Sequence, residues 1–363
     1  MTKTAVKTKK TRLKIALTVT ASVLVVIFAA GMIVTSVLMR KNFSRGDYRD
    51  PRFSAYYRWE HFQADYPRDE VSFKSGKNTL KGFIYGKDND KGLIVFAHGI
   101  GGGHEGYINE LLWFVDNGWR VFAYDGTGSG YSEGSGTRGL QQSALDLNAA
   151  LTFAEGDERL SGMPVLLMGH SWGGYAAAAV LNYSHNITGV VSISGYNKPI
   201  DMIMEWVEDI GPVRYIMYPF VQIYNKSLFG RYSGLTAVGG INSSSTPVLV
   251  IHGKNDETVG YDKSSIISQK GLITNPSVRY LTLPDTGHND MFHTKDANRY
   301  IENINSEYET LQDKFNGEIP EAEKEKFYAA VNGELINTTN EELLLQIESF
   351  LDEALRFSKK TVS

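Results

Sequence analysis

The sequence predicts a doubly wound α/β domain with a mostly parallel sheet, carried on one N-terminal transmembrane helix and interrupted by a cap-like insertion. Three observations predict it. From residue 71 onward, short β-rich apolar runs alternate with helical stretches; 25 uncharged residues stand ahead of them; and residues 196–245 break the alternation. At 363 residues with 42% apolar content, the chain can bury a sizeable core as one large domain or two modest ones.

The uncharged run, Ile15 to Met39, would reach ~37 Å as a helix, more than the ~30 Å hydrocarbon core of a bilayer. Its length exceeds the ~7 to 15 residues of a signal-peptide core, and no small-x-small site ends it, so an uncleaved anchor is expected rather than a leader. Six Lys/Arg precede it within residues 1–14, a basic cytoplasmic tail. The flanking charge predicts a single-pass protein of the cell membrane with its N-terminus in the cytoplasm and its domain outside. Residues 40–69, rich in Arg, Asp and Tyr, read as a juxtamembrane connector that packs on the domain or turns helical.

Residues 70–363 form the predicted domain. Alternation around Gly76 gives an antiparallel hairpin from Val71 and Leu80. Strands follow at Leu93 to Ala97, Val121 to Tyr124, Val165 to Met168, Val190 to Ile193, Val248 to Ile251 and Val278 to Leu283, all apolar enough to predict burial on both faces. Leu140, Ala144, Leu147, Leu151 and Ala154 mark one helical face, and Ser171 to Ser184 reads as an Ala-rich helix. The insertion at 196–245 is rich in Met and aromatic residues, as a cap over a site would be. A charged helical extension, 297–363, closes the chain. In it Thr339-x-x-Glu342 reads as a capping box for a last helix with Leu343, Ile347, Phe350 and Ala354 inward.

Charge and composition narrow the function. Eight of the 37 Lys/Arg fall before residue 42, where no Asp/Glu stands, leaving 29 basic against 41 acidic residues, net −12, in the folded part. An acidic domain argues against nucleic-acid binding. With no cysteine, thiolate chemistry and Cys-ligated metals are excluded. No His/Asp/Glu spacing predicts a metal, and the glycines at 99–103 lack the Lys-Ser/Thr of a phosphate loop, so no cofactor is expected.

Gly169-His170-Ser171-Trp172-Gly173 lies between an apolar strand and a helix. A serine hydroxyl attacks carbonyls only when exposed, positioned and served by a base, and a glycine-flanked strand-to-helix turn provides the exposure. Ser171 is therefore the candidate nucleophile. Backbone donors must receive the oxyanion: the Trp172 amide is one, and Ile100, in His98-Gly99-Ile100-Gly101-Gly102-Gly103, supplies the other. Asp256, in the loop after VLVI, is the candidate acid, and His288, after the final strand, the candidate base. The order Ser171, Asp256, His288 is that of one known triad arrangement.

With HGIGGG (98–103), YDGTGSGYS (124–132), GHSWG (169–173), HGKNDETV (252–259) and DTGHND (285–290), residues 70–295 resemble the α/β-hydrolase superfamily. The resemblance is strongest to bacterial serine aminopeptidase-like and lysophospholipase-like hydrolases. It implies a structural turn at Asp125-Gly126, a cap at 196–245, and hydrolysis of a small-molecule or peptide acyl substrate. Esterase or lipase-like chemistry on esters, thioesters or small amides is the leading expectation, with Trp206, Tyr215 and Met217 as candidate substrate contacts. A serine aminopeptidase-like peptidase, anchoring a free amine at Glu205, Glu208 or Asp209, is the alternative, and a non-catalytic surface binding protein the rival from another class.

Overall fold

The computed structural model describes residues 3–362, with side chains from 11 to 359. Helix α1 spans Lys3–Asn42, so the apolar run is one uninterrupted helix. The expected basic tail continues into it; the side chains of Lys3, Lys7, Lys9 and Lys10 lie outside the described residues. The stretch Thr11–Asn42 is long and apolar enough to cross a membrane. Residues 11–30 are exposed along their whole length, whereas Thr35, Met39 and Phe43 are buried in the domain. Their i, i+4, i+8 spacing puts them on one helical face.

The connector is stitched to the domain. The Arg45 guanidinium donates to the carbonyls of Gly130, Ser132 and Gly134, and the Tyr48 hydroxyl donates to Asp125 at 2.8 Å.

Eight strands form one sheet in the order β1-β2-β4-β3-β5-β6-β7-β8. The hairpin β1 (Arg68–Ser75) and β2 (Asn78–Tyr85) is antiparallel, with β2 antiparallel to β4. The others run parallel: β3 (Leu93–Ala97), β4 (Arg120–Tyr124), β5 (Val165–His170), β6 (Ile187–Ile193), β7 (Val248–Gly253) and β8 (Val278–Leu283). The inner strands are buried on both faces, as their composition requires. Strand β8 is not, contrary to expectation. It is the sheet edge, and Arg279 and Thr282 face solvent.

Helices cover both faces. α1's last turns, α3 (Gln142–Gly156) and α4 (Trp172–Ala179) belong to one core layer; α2 (Ile108–Asp116) and the C-terminal helix form the other. α4 is shorter than expected and ends in a 3-10 turn, Val180–Asn182. The insertion folds into α5 (Pro199–Trp206), α6 (Arg214–Phe229) and α7 (Ala237–Asn242). The extension holds α8 (Lys295–Lys314), α9 (Glu321–Ala329), the single turn α10 (Gly333–Ile336) and α11 (Glu341–Val362). Leu343, Ile347, Phe350 and Ala354 are buried as expected. The capping residue is Asn340 rather than Thr339: its side-chain oxygen accepts from the Leu343 N–H at 3.3 Å, while Thr339 is drawn into a bridge with His293.

Candidate active site

The parallel strands β3, β5, β7 and β8 end at one edge of the sheet, and the loops leaving them converge there. At the end of β5, between β3 and β6, Ser171 adopts φ 55 and ψ −110, a conformation that costs an L-residue on the order of 1–3 kcal/mol. The Ser171 N–H donates to Ile193 on β6 at 2.8 Å, and its carbonyl accepts from Tyr175 on α4 at 3.0 Å. The flanking glycines are there because nothing larger fits. A Cβ on Gly173 would lie 1.8 Å from the Ala97 carbonyl oxygen, and one on Gly169 2.2 Å from that of Gly173. The turn thus holds its serine outward by close backbone packing.

The loop after β3 passes over this serine. A Cβ built on Gly99 would sit 3.7 Å from Cβ of Ser171, so the loop that continues into Ile100 passes close to that serine. Trp172, the first residue of α4, has no intrahelical acceptor for its N–H. Neither that N–H nor the Ile100 N–H is engaged by another backbone or side-chain group among the described residues. Two free donors near Ser171 are what an oxyanion requires.

Asp256 and His288 meet from two loops: His288 Nδ1 lies 2.7 Å from Oδ2 of Asp256. The other oxygen of Asp256 accepts from the amides of Thr258 and Val259 at 2.9 and 2.8 Å. Burial pushes this carboxyl upward, but hydrogen bonds from His252 and His288 and the charge of His288 outweigh it and hold the group well below the ordinary range. Asp256 is therefore ionised at neutral pH and fixes the His288 ring. No hydrogen bond joins His288 to Ser171 among the described residues, a contact that can tighten when substrate enters. Asp285 is exposed, and among the described residues no hydrogen bond or ion pair joins it to His288.

Three further residues complete the arrangement, and sequence reasoning missed all three. His252 Nε2 lies 2.8 Å from the Val259 carbonyl and 3.2 Å from Asp256 Oδ2, bracing the acid from behind. His170 Nε2 donates to the His288 carbonyl at 2.9 Å, and its Nδ1 accepts from the Tyr107 hydroxyl at 2.8 Å. Tyr107 oxygen in turn accepts from the Gly99 N–H at 3.1 Å. Burial and the neighbouring His288 lower the His170 pKa to about 3, so the ring is neutral and can donate at one nitrogen while accepting at the other. One chain of hydrogen bonds thereby joins the glycine-rich loop after β3 to the loop that carries His288. His170 and His252 stood inside the quoted motifs GHSWG and HGKNDETV, Tyr107 just after HGIGGG; the partners of His170 are remote in sequence, whereas His252 reaches Asp256 and Val259 within its own motif.

The turn at Asp125-Gly126 is structural. Asp125 accepts from the Tyr48 hydroxyl, from both the backbone N–H and Nδ1 of His104, and from the Tyr131 N–H. Against the upward push of burial, His104 brings this carboxyl down to about 2.

A cleft of about 400 Å³ opens beside the glycine-rich loop after β3, lined by Gly99 to Gly103, Tyr107, Glu110, Phe292 and, from the connector, Tyr56 and Arg58. Burial raises the Glu110 carboxyl to about 7. A second cleft, of about 590 Å³, lies under the insertion and is lined by Met204, Glu205, Tyr215, Lys263 and Gln269.

Of the candidate substrate contacts, Trp206 packs its ring 6.2 Å from Phe43 at the end of α1, Tyr215 is exposed at the mouth of the second cleft, and Met217 is half-buried on α6. The carboxylates considered as amine anchors are differently placed. Glu205 accepts from the amides of Gly260 and Ser264 at 2.7 and 3.0 Å, tying α5 to the loop after Asp256. Glu208 is paired with Lys263 and with Arg214, while Asp209 is exposed.

A parallel sheet with a strained serine elbow on its central strand is the arrangement of the α/β-hydrolase fold, and the chain has that fold. The family model for serine aminopeptidase, S33, matches residues 88–233. Among solved structures, an esterase from Pyrococcus furiosus is similar at 19% identity and TM-score 0.51, covering 75% of this chain and 98% of its own. A second crystal form of it gives 19% identity and TM-score 0.50, over 77% and 98%. The acylaminoacyl peptidase of Pyrococcus horikoshii is 18% identical with TM-score 0.48, over 64% of this chain and 39% of its own. No curated protein sequence matches.

Proposed function

We propose that the chain is a membrane-anchored serine hydrolase that cleaves a carboxylic ester, thioester or small amide through an acyl-enzyme, with esters preferred. The observation that carries this reading is the Asp256–His288 pair at 2.7 Å, set on loops beside the strained Ser171. In this mechanism His288 Nε2 takes the proton of Ser171 Oγ as the oxygen attacks the acyl carbon. The Ile100 and Trp172 amides receive the oxyanion; His288 then protonates the leaving group and afterwards activates water against the acyl-enzyme. Asp256, held ionised, stabilises the imidazolium formed at each transfer.

A fluorophosphonate probe tests it. Wild-type protein should be labelled and Ser171→Ala should not; absence of labelling on the folded wild type would favour a non-catalytic binding protein. The peptidase reading rests on the family model and needs a free carboxylate to anchor an amine. Glu205 and Glu208 are already partnered, which favours the ester reading and leaves Asp209 for the alternative. The lysine-rich N-terminus supports an outward-facing domain. Protease added to intact cells should then degrade residues 42–363, and protection until lysis would reverse the orientation.

A further inference from the structure

The apolar surface of the insertion is not distributed evenly. The carboxyl half of α6 turns Val221, Asn225 and Phe229 into the domain, whereas its amino half and the turn before it expose Ile210 (51%), Val213 (56%), Tyr215 (63%) and Ile216 (66%). From Val213 to Phe220 the only charged residue is Arg214, whose guanidinium is paired with Glu208 at 3.8 Å. Contiguous exposed side chains of this kind mark a contact surface.

What covers them follows from the helix beside them. α6 packs against α1: the rings of Phe220 and Phe28 are 5.9 Å apart, and Gly31 provides the room, since a Cβ there would fall 2.4 Å from the Phe220 ring. Lys14 is the last charge before the apolar run of α1. A hydrocarbon layer of ~30 Å measured from it along the helix ends near residue 34, past Gly31. The α1–α6 contact therefore falls within the hydrocarbon, close to its boundary. The domain begins just beyond, where Thr35, Met39 and Phe43 are buried in protein.

We infer that the amino half of α6, with the turn from Ile210, lies in the acyl-chain region of the bilayer that α1 crosses, making the insertion a second membrane contact. Its occupant is lipid acyl chain, of the same apolar chemistry that surrounds α1. This rests on α1 spanning a bilayer and is independent of the catalytic reading.

Because the chain has no cysteine, single-cysteine variants of the full-length protein can be labelled at one site each. We would reconstitute Val213→Cys, Ile216→Cys and Ile223→Cys in phosphatidylcholine vesicles, attach an environment-sensitive fluorophore, and quench with doxyl-labelled phosphatidylcholine or with aqueous iodide. Val25→Cys on α1 is the lipid-facing control. Leu345→Cys, on α11 in the opposite core layer and 55% exposed, is the water-facing one. Ile216→Cys and Val213→Cys should lose most of their emission to the lipid quencher, as Val25→Cys does, and little to iodide. Iodide quenching at 216 equal to that at 345, with Val25→Cys still lipid-quenched, overturns the proposal alone. Protection at 216 from both quenchers points to a protein partner or a second copy and also overturns it. Loss of lipid quenching at Val25→Cys overturns the proposal and the membrane span together.

Discussion

The loops at the carboxyl edge of the sheet and the inserted helices α5 to α7 lie on one chain but are built on opposite principles. In the loops, polar groups are tied to one another: Asp256 accepts three hydrogen bonds and lies 3.2 Å from His252 Nε2, and Gly99, Tyr107, His170 and the His288 carbonyl form an unbroken chain. The amino half of the insertion is held differently, by apolar packing on α1 and by two carboxylates, and it leaves large side chains uncovered. Groups that transfer protons must be placed to a fraction of an ångström, and networks with discrete partners achieve that. A surface that meets molecules of varied shape needs only apolar area. Substitutions in the first region should therefore act on kcat and be large, and those in the second should be graded.

The largest effect is expected at the proposed triad. Ser171→Ala, His288→Ala and Asp256→Asn should each lower kcat by ~10³-fold or more, and the triple variant should be little worse than the singles because the three act as a unit. Asp285→Asn should keep most activity. Single-turnover assays on a p-nitrophenyl ester distinguish the outcomes; an inactive Asp285→Asn beside an active Asp256→Asn would move the acid.

The next effect is on stability. Asp125 is buried among Tyr48, His104 and Tyr131, and Asp125→Asn leaves those donors facing an amide, at a cost of ~3 kcal/mol. Its folded pKa, about 2, lies below the unfolded 3.8, so its contribution is complete above pH ~4 and is lost as pH falls toward 2. Glu110 has the opposite sign. With a folded pKa of about 7 against 4.5, it disfavours the folded state increasingly as pH rises from 4.5 to 7. Glu110→Gln should remove that decline, a relative gain on the order of 3 kcal/mol at pH 8. Urea unfolding in detergent from pH 4 to 8 reads both, and an unchanged slope for Glu110→Gln would refute its burial as a neutral acid.

Smaller, and more diagnostic of the network, is His170→Ala. It removes the bond that fixes the His288 backbone and the acceptor of Tyr107, without touching the reacting atoms. Displacement of the base by a fraction of an ångström should lower kcat roughly 10- to 100-fold with KM nearly constant. Tyr107→Phe should give part of that loss. A proportional rise in KM instead would assign these residues to substrate binding.

Sequence alone reached the hydrolase-like platform and stopped short of the residues that brace it. The proposed triad of Ser171, Asp256 and His288 could be picked out because each stands in a loop that leaves a strand of the sheet, and such loops converge in a doubly wound fold. His170 could not, since its role depends on the His288 carbonyl 118 residues away; His252 could not, because only the turn of its own loop folds it back onto Asp256 and the Val259 carbonyl. β8 was misjudged because composition cannot tell an edge strand from a central one. Thr339 lost the cap to Asn340 because the bridge to His293 is tertiary. For the insertion, composition revealed the apolar content but not its division: Trp206 and Phe220 pack toward α1, and Tyr215 lies at a cleft.

That division sets the last and smallest effect. If acyl chains enter the cleft of about 590 Å³ under the insertion, each added methylene that leaves water should contribute up to ~0.8 kcal/mol to transition-state binding. kcat/KM on p-nitrophenyl esters from acetyl to decanoyl should then rise up to ~4-fold per carbon and level off when the cleft is full. Met204→Asp, placing a charge in that cleft, should flatten the rise while leaving the acetyl ester nearly unaffected, because Ser171 and its partners are held by a different set of bonds. A series that is flat in the wild type, with cleavage of aminoacyl-p-nitroanilides only when the amine is free, would favour the peptidase reading. Asp209→Asn should then abolish the dependence on the free amine, and its failure to do so would place the anchor outside the insertion.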